Sequence, residues 1–122
     1  MKREETIDYL ANVYSVVEAD GDVDLTEQRV FEDIARAIDA GYFERKSAMD
    51  KLKTDELPVR LDLRWSDQIR NLEDMLFVAY SDGSLEPAEK KAIVTYANFL
   101  GISQSQLSVI KEDAKRRFNE SK

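Results

Sequence analysis

Apolar residues recur along this chain at the three- and four-residue spacings of helices that bury one face. Ile7, Leu10, Ala11, Tyr14 and Val17 make the first such run, and Val30, Phe31, Ile34, Ala35 and Ile38 the second,. The second run stops at Gly41, which reads as a C-cap,. A shorter segment, "FERKSAMDKLK", brings Phe43, Ser47 and Leu52 roughly onto one side. Ile69, Leu72, Leu76 and Ala79 predict a fourth helix started by Ser66,. Ala92, Ile93, Tyr96, Ala97 and Leu100 predict a fifth, ended by Gly101,. Ser103 with Gln106 is a capping box for a sixth, whose inner face is Leu107, Ile110, Ala114 and Phe118,.

Only residues 59–65, "VRLDLRW", alternate as a strand would. A lone strand leaves its backbone groups unpaired, so a short helix or extended connector beginning near Pro58 is expected instead,. Trp65, Tyr80, Tyr96 and Phe99 are expected to complete the core, and Arg60, Arg64 and Arg70 to neutralise nearby acids,.

The pattern repeats at an offset of 62 residues. Ile7 matches Ile69, Leu10 matches Leu72, Val16 matches Val78, Asp20-Gly21 matches Asp82-Gly83, and Ala35 matches Ala97. An internal repeat over 7–41 and 69–103 follows, each unit a helix, an Asp-Gly turn and a second helix. Two such units can bury their apolar faces against each other. With 122 residues the chain fits one all-α domain over 1–122,.

Composition narrows the chemistry. There is no cysteine and no histidine, which removes disulfides, thiolate nucleophiles, imidazole bases and the usual zinc ligands,. Any bound metal must accept oxygen ligands alone, which points to Ca²⁺, Mg²⁺ or Mn²⁺. No apolar run approaches the roughly 20 residues of a membrane span, and "MKREETIDYL" lacks the apolar core of a signal peptide,. A cytoplasmic location is the default expectation. Residues 1–41 hold 4 Lys/Arg against 11 Asp/Glu and so carry the whole net charge of −7. Such a face repels nucleic-acid phosphates and attracts cations or basic partners.

The acids concentrate in "EADGDVDLTE", residues 18–27, and less densely in "YSDGSLEPAE", residues 80–89. Helix termini account for much of this. Asp24 with Glu27 is a capping box, and Pro87 suits a first helical position with Glu89 two residues on,. Asp20 and Asp82 are different, because they fall at helix C-termini, where the macrodipole disfavours an anion,. Glu18 and Asp22 add repulsion that a bound cation would offset,. The turns are not EF-hands. Counted from Asp20, the required Gly is Leu25 and the required Glu is Phe31; in the second half those places hold Pro87 and Ile93,.

The blocks "VVEADGDVDLTEQRVFEDIARAI" and "FVAYSDGSLEPAEKKAIVTYANFLGISQSQL" resemble the tellurite-resistance TerB-like family. Ala19, Asp20, Gly21 and Glu27 match its Asp-Gly turn and following Glu in the first copy; Ser81, Asp82, Gly83 and Glu89 match them in the second, where Ala97, Leu100 and Gly101 also match its helix end. The resemblance implies a compact bundle of about six to seven helices in two pseudo-symmetric halves. It also implies a divalent-ion site near the acidic turns, in a family associated with stress responses. Asp20, Asp22, Asp24 and Glu27 would form the stronger site, and Asp82, Glu86 and Glu89 the weaker one, since Ser84 replaces an acid there. The expected function is a non-enzymatic module that binds a divalent cation and docks a protein partner. The rival is a metal-free scaffold whose acidic face recruits a basic partner. A metal-dependent hydrolase has no support beyond the acids, for the chain lacks a Gly-rich phosphate loop and a recognisable nucleophile,.

Overall fold

A computed structural model describes residues 1–19, 21, 23–54, 59–60, 62–81, 83 and 85–120. It is all-helical: α1 (Arg3–Val17), α2 (Leu25–Ala37), α3 (Tyr42–Lys51), α4 (Trp65–Tyr80), α5 (Pro87–Leu100) and α6 (Gln104–Glu120), with a short 3-10 turn at Leu52–Thr54. No strand occurs among the described residues. Val59 and Arg60 run without regular structure, and Asp62 and Leu63 form a turn and a bend, so the alternation over 59–65 marks a connector. Pro58 lies outside the described residues.

The helix starts share one offset. α4, α5 and α6 start at Trp65, Pro87 and Gln104, each 62 residues after the starts of α1, α2 and α3. Packing follows the same rule. α1 lies against α2 and α3 as α4 lies against α5 and α6; α1 also meets α4 and α5, and α4 meets α2. The two central helices bury more than one stripe. Leu10, Val13, Val16 and Val17 of α1 and Leu72, Met75, Leu76 and Val78 of α4 are closed off from solvent. Phe31 and Ile93 enter from α2 and α5, and Tyr14 meets the Phe31 ring edge-on at 5.0 Å between centroids. Each fully buried Leu or Val contributes about 1.5–3 kcal/mol of transfer free energy.

Helix ends explain most of the chain's punctuation. α2 closes with Ala40 N–H on the Ala35 carbonyl (2.8 Å) and Asp39 N–H on that of Arg36 (3.1 Å). α5 closes the same way, with Ile102 on Ala97 (3.0 Å) and Gly101 on Asn98 (3.1 Å),. The left-handed residue of the first closure is therefore Asp39, at φ 62°, and not Gly41. Gly41 is extended and caps the next helix, donating its N–H to Glu44 Oε2 at 2.7 Å. Ser103 and Gln106 make the expected reciprocal box, at 2.9 and 3.2 Å. α4 begins one residue ahead of Ser66, with Arg64 as its N-cap.

Three expectations about side chains need correcting. Trp65 and Phe99 are 56% and 58% exposed and lie outside the core, whereas Tyr96 is fully buried and Tyr80 half-buried. Trp65 occupies the first position of α4, where neighbours on the N-terminal side are missing. In α3 the buried residue is Ala48, and Phe43 instead faces solvent beneath the Arg3 guanidinium, 5.1 Å from its ring centroid,. Arg60 pairs with Asp8 (3.0 Å) and Asp62 (2.7 Å), and Arg64 with Asp67 (3.4 Å). Arg70 forms no ion pair among the described residues.

Candidate functional site

The two Asp-Gly turns share one backbone construction. Gly21 donates its N–H to the Glu18 carbonyl, and Gly83 donates to that of Tyr80, each at 3.0 Å. Both glycines are left-handed, at φ 86° and 91°. A Cβ added at either would meet nothing within 4 Å, so the demand for glycine there is conformational and not steric,. Gly21→Ala and Gly83→Ala are each expected to lower the unfolding free energy by about 1–2 kcal/mol, read from urea titrations. An unchanged midpoint in both would show that the turns relax to other conformations at no cost.

Each turn hands the chain to a helix through carboxylates. Asp24 is the N-cap of α2, and its Oδ1 accepts from Thr26 N–H (2.7 Å) and Glu27 N–H (3.2 Å),. Glu86 is the N-cap of α5, and its own N–H donates to Glu89 Oε1 at 2.9 Å. Pro87 takes the first helical position, as its spacing predicts,. Burial is the surprise here. Glu27 and Glu89 are only 3% and 1% exposed, although carboxylates at helix N-termini are usually solvated,. At the C-cap of α1, loss of hydration raises the Glu18 carboxyl above its ordinary value,.

Of the seven acids expected to ligate an ion, Asp24, Glu27, Glu86 and Glu89 are placed at helix starts. Asp20, Asp22 and Asp82 lie outside the described residues, as does Ser84. Among the described residues no three carboxylates gather closely enough to hold a metal ion. Asp24 and Glu89 each have an oxygen engaged in capping. On the described atoms, then, these acids fit helix capping first. An ion would need the turn aspartates for a full oxygen shell.

A second polar assembly lies in the core, where the sequence reading placed no function. Tyr9 of α1 donates its hydroxyl to Asp74 Oδ2 of α4, and Arg117 of α6 reaches Asp74 Oδ1 at 2.8 Å. Asn12 Nδ2 donates to Asn71 Oδ1 at 2.8 Å, and Asn71 Nδ2 donates to the Tyr9 carbonyl at 3.0 Å. The Tyr96 hydroxyl points toward Asn12 from α5. Beside this seam, buried Asp8 holds Lys51 of α3 and Arg60 of the connector. The signal for it was present at the repeat offset, since 9 corresponds to 71 and 12 to 74, all polar on an apolar stripe. Its hydrogen bonds tie α1 to α4 and α4 to α6, which makes it a structural seam.

No family model, curated protein or solved structure matches the chain. Among the described residues, no helix is long and apolar enough to cross a membrane.

Proposed function

We propose that this chain is a non-enzymatic, TerB-like module of two pseudo-symmetric halves that binds a divalent cation through its acidic turns and docks a protein partner. The observation that carries the reading is the matched construction of the two turns. Each has a left-handed glycine with the same backbone hydrogen bond, then a carboxylate N-cap, then a buried glutamate three residues on. Helix starts, helix closures and packing partners that coincide at 62 residues support the two-half arrangement. Capping explains Asp24, Glu27, Glu86 and Glu89 without an ion. What it leaves unexplained is acid just after the C-terminal end of the helix before each turn, where Asp20 and Asp82 stand in the sequence,.

Thermal unfolding of chelator-stripped protein, repeated with Ca²⁺, Mg²⁺ and Mn²⁺, tests this. An ion at about 100 times its dissociation constant adds about 2.7 kcal/mol, a rise on the order of 10 °C for this size. Asp20→Asn with Asp82→Asn is expected to abolish the rise. A flat response to all three ions in the parent defeats the ion reading. That result leaves the acidic first third as a metal-free docking face, whose binding to a basic partner weakens with salt and ignores chelator.

A further inference from the structure

The cleft between α5 and α6 stands apart from the rest of this acidic surface. It encloses about 720 Å³, with Ala97, Ile102, Val94 and Leu107 as its apolar lining and Lys90 and Lys111 beside them. No carboxylate among the described residues lines it. Neither lysine forms an ion pair among the described residues, in a chain whose net charge is −7.

The corresponding cleft between α2 and α3 shows what is missing. There Glu32 and Arg45 form an ion pair across the gap, and the enclosed volume is about 410 Å³. At the repeat offset those two positions become Val94 and Leu107. The ion pair that bridges the first cleft is thus replaced in the second by two apolar side chains, both half-buried. Among the described residues no ion pair answers its two lysines.

We infer that the α5–α6 cleft is a docking groove for an acidic amphipathic helix of a partner protein. Charge complementarity selects the partner's carboxylates, which would meet Lys90 and Lys111. The apolar lining selects leucine-like anchors between them. The lining spans Lys90–Asn98 on one wall and Gln104–Lys111 on the other, about 12 Å at 1.5 Å per residue,. That length accepts roughly two helical turns, or anchors at i, i+3, i+4 and i+7. The groove does not depend on whether an ion occupies the turns.

The test uses a synthetic peptide of roughly 14 residues with leucines at those spacings and glutamates between them, and a copy with lysines in place of the glutamates. Both are titrated into the ¹⁵N-labelled full chain with chelator present, so that the ion reading does not enter. The glutamate peptide is expected to shift amides of α5 and α6 and the lysine peptide to leave them unmoved. Lys90→Glu with Lys111→Glu, two surface changes, should weaken binding roughly tenfold or more. V94E with L107R, which imports the closing pair of the first cleft, should abolish it while the thermal midpoint reports that the fold survives. Absence of binding, equal binding of the two peptides, shifts that map elsewhere, or indifference to the lysine reversals would each overturn the assignment.

Discussion

Asp74→Ala is expected to lower the unfolding free energy by about 3 kcal/mol, measured by urea denaturation near neutral pH. The Asp74 side chain is 3% exposed and accepts from two helices at once, through the Tyr9 hydroxyl and the Arg117 guanidinium. The partners fare differently when it is removed. Arg117 is half-exposed and still stacks on Phe77, 4.5 Å from the ring centroid, so it can turn to water. Tyr9 is fully buried and cannot, so its hydroxyl bears the desolvation cost unpaid by any acceptor,. Asp74→Asn keeps an acceptor and should cost less, about 1–2 kcal/mol. Combining Tyr9→Phe with Asp74→Ala should then cost less than the two changes separately. A loss below about 1 kcal/mol for Asp74→Ala would mean that apolar packing alone joins α1, α4 and α6.

The second large effect appears in alkali. Burial pushes the Tyr9 phenol far above its ordinary value, and the neighbouring Asp74 charge and hydrogen bond push it further. Burial raises Tyr96 as well, with Asn12 opposing weakly. A group whose folded value lies above its unfolded one binds its proton more tightly in the fold. Its contribution is therefore complete below about pH 10 and is lost as pH rises beyond it. Each tyrosine removes about 1.4 kcal/mol per pH unit there, and the pair about 2.8. Against a total stability of about 5–15 kcal/mol, the chain should unfold cooperatively within a few units above pH 10. The share of phenolate absorbance that belongs to Tyr9 and Tyr96, read as the difference from the Tyr→Phe variants, should rise with the unfolding and not before it. Tyr9→Phe and Tyr96→Phe should each flatten the slope by about half; an unchanged slope in both would place the alkaline transition elsewhere.

The helices were legible because a buried face forces an apolar period, and all six runs of the sequence became α1 to α6,. Their closures were less so. A left-handed closing position favours Gly but tolerates Asp, so Asp39 did its work unannounced while Gly41 drew attention as the nearer glycine,. Bulk misled at Trp65 and Phe99, since a large aromatic says nothing about which side of a helix it occupies or how near the helix end it falls,. At the candidate site, the capping acids were readable from their spacing to the next helix. The burial of Glu27 and Glu89 was not, because charge ordinarily signals exposure. The core seam was obscured for a related reason. Asn12, Asn71 and Asp74 look like interruptions of an apolar stripe until one knows that Asn12 meets Asn71 and Asp74 meets Tyr9.

The crossed pairing of that seam bears on which segments can satisfy each other. Tyr9 meets Asp74 while Asn12 meets Asn71, and on the two-half reading these are the same pair of positions with their roles exchanged. A newly made first half that met a copy of itself on a neighbouring ribosome would set Tyr9 against Asn12 and Asn12 against Tyr9. The phenol would lose its carboxylate, and the carboxylate's tie to Arg117 would be absent. The aspartate that completes the pairing belongs to α4, so a first half set against its own copy would offer the phenol only the neutral Asn12 side chain, a weaker acceptor than the Asp74 carboxylate,.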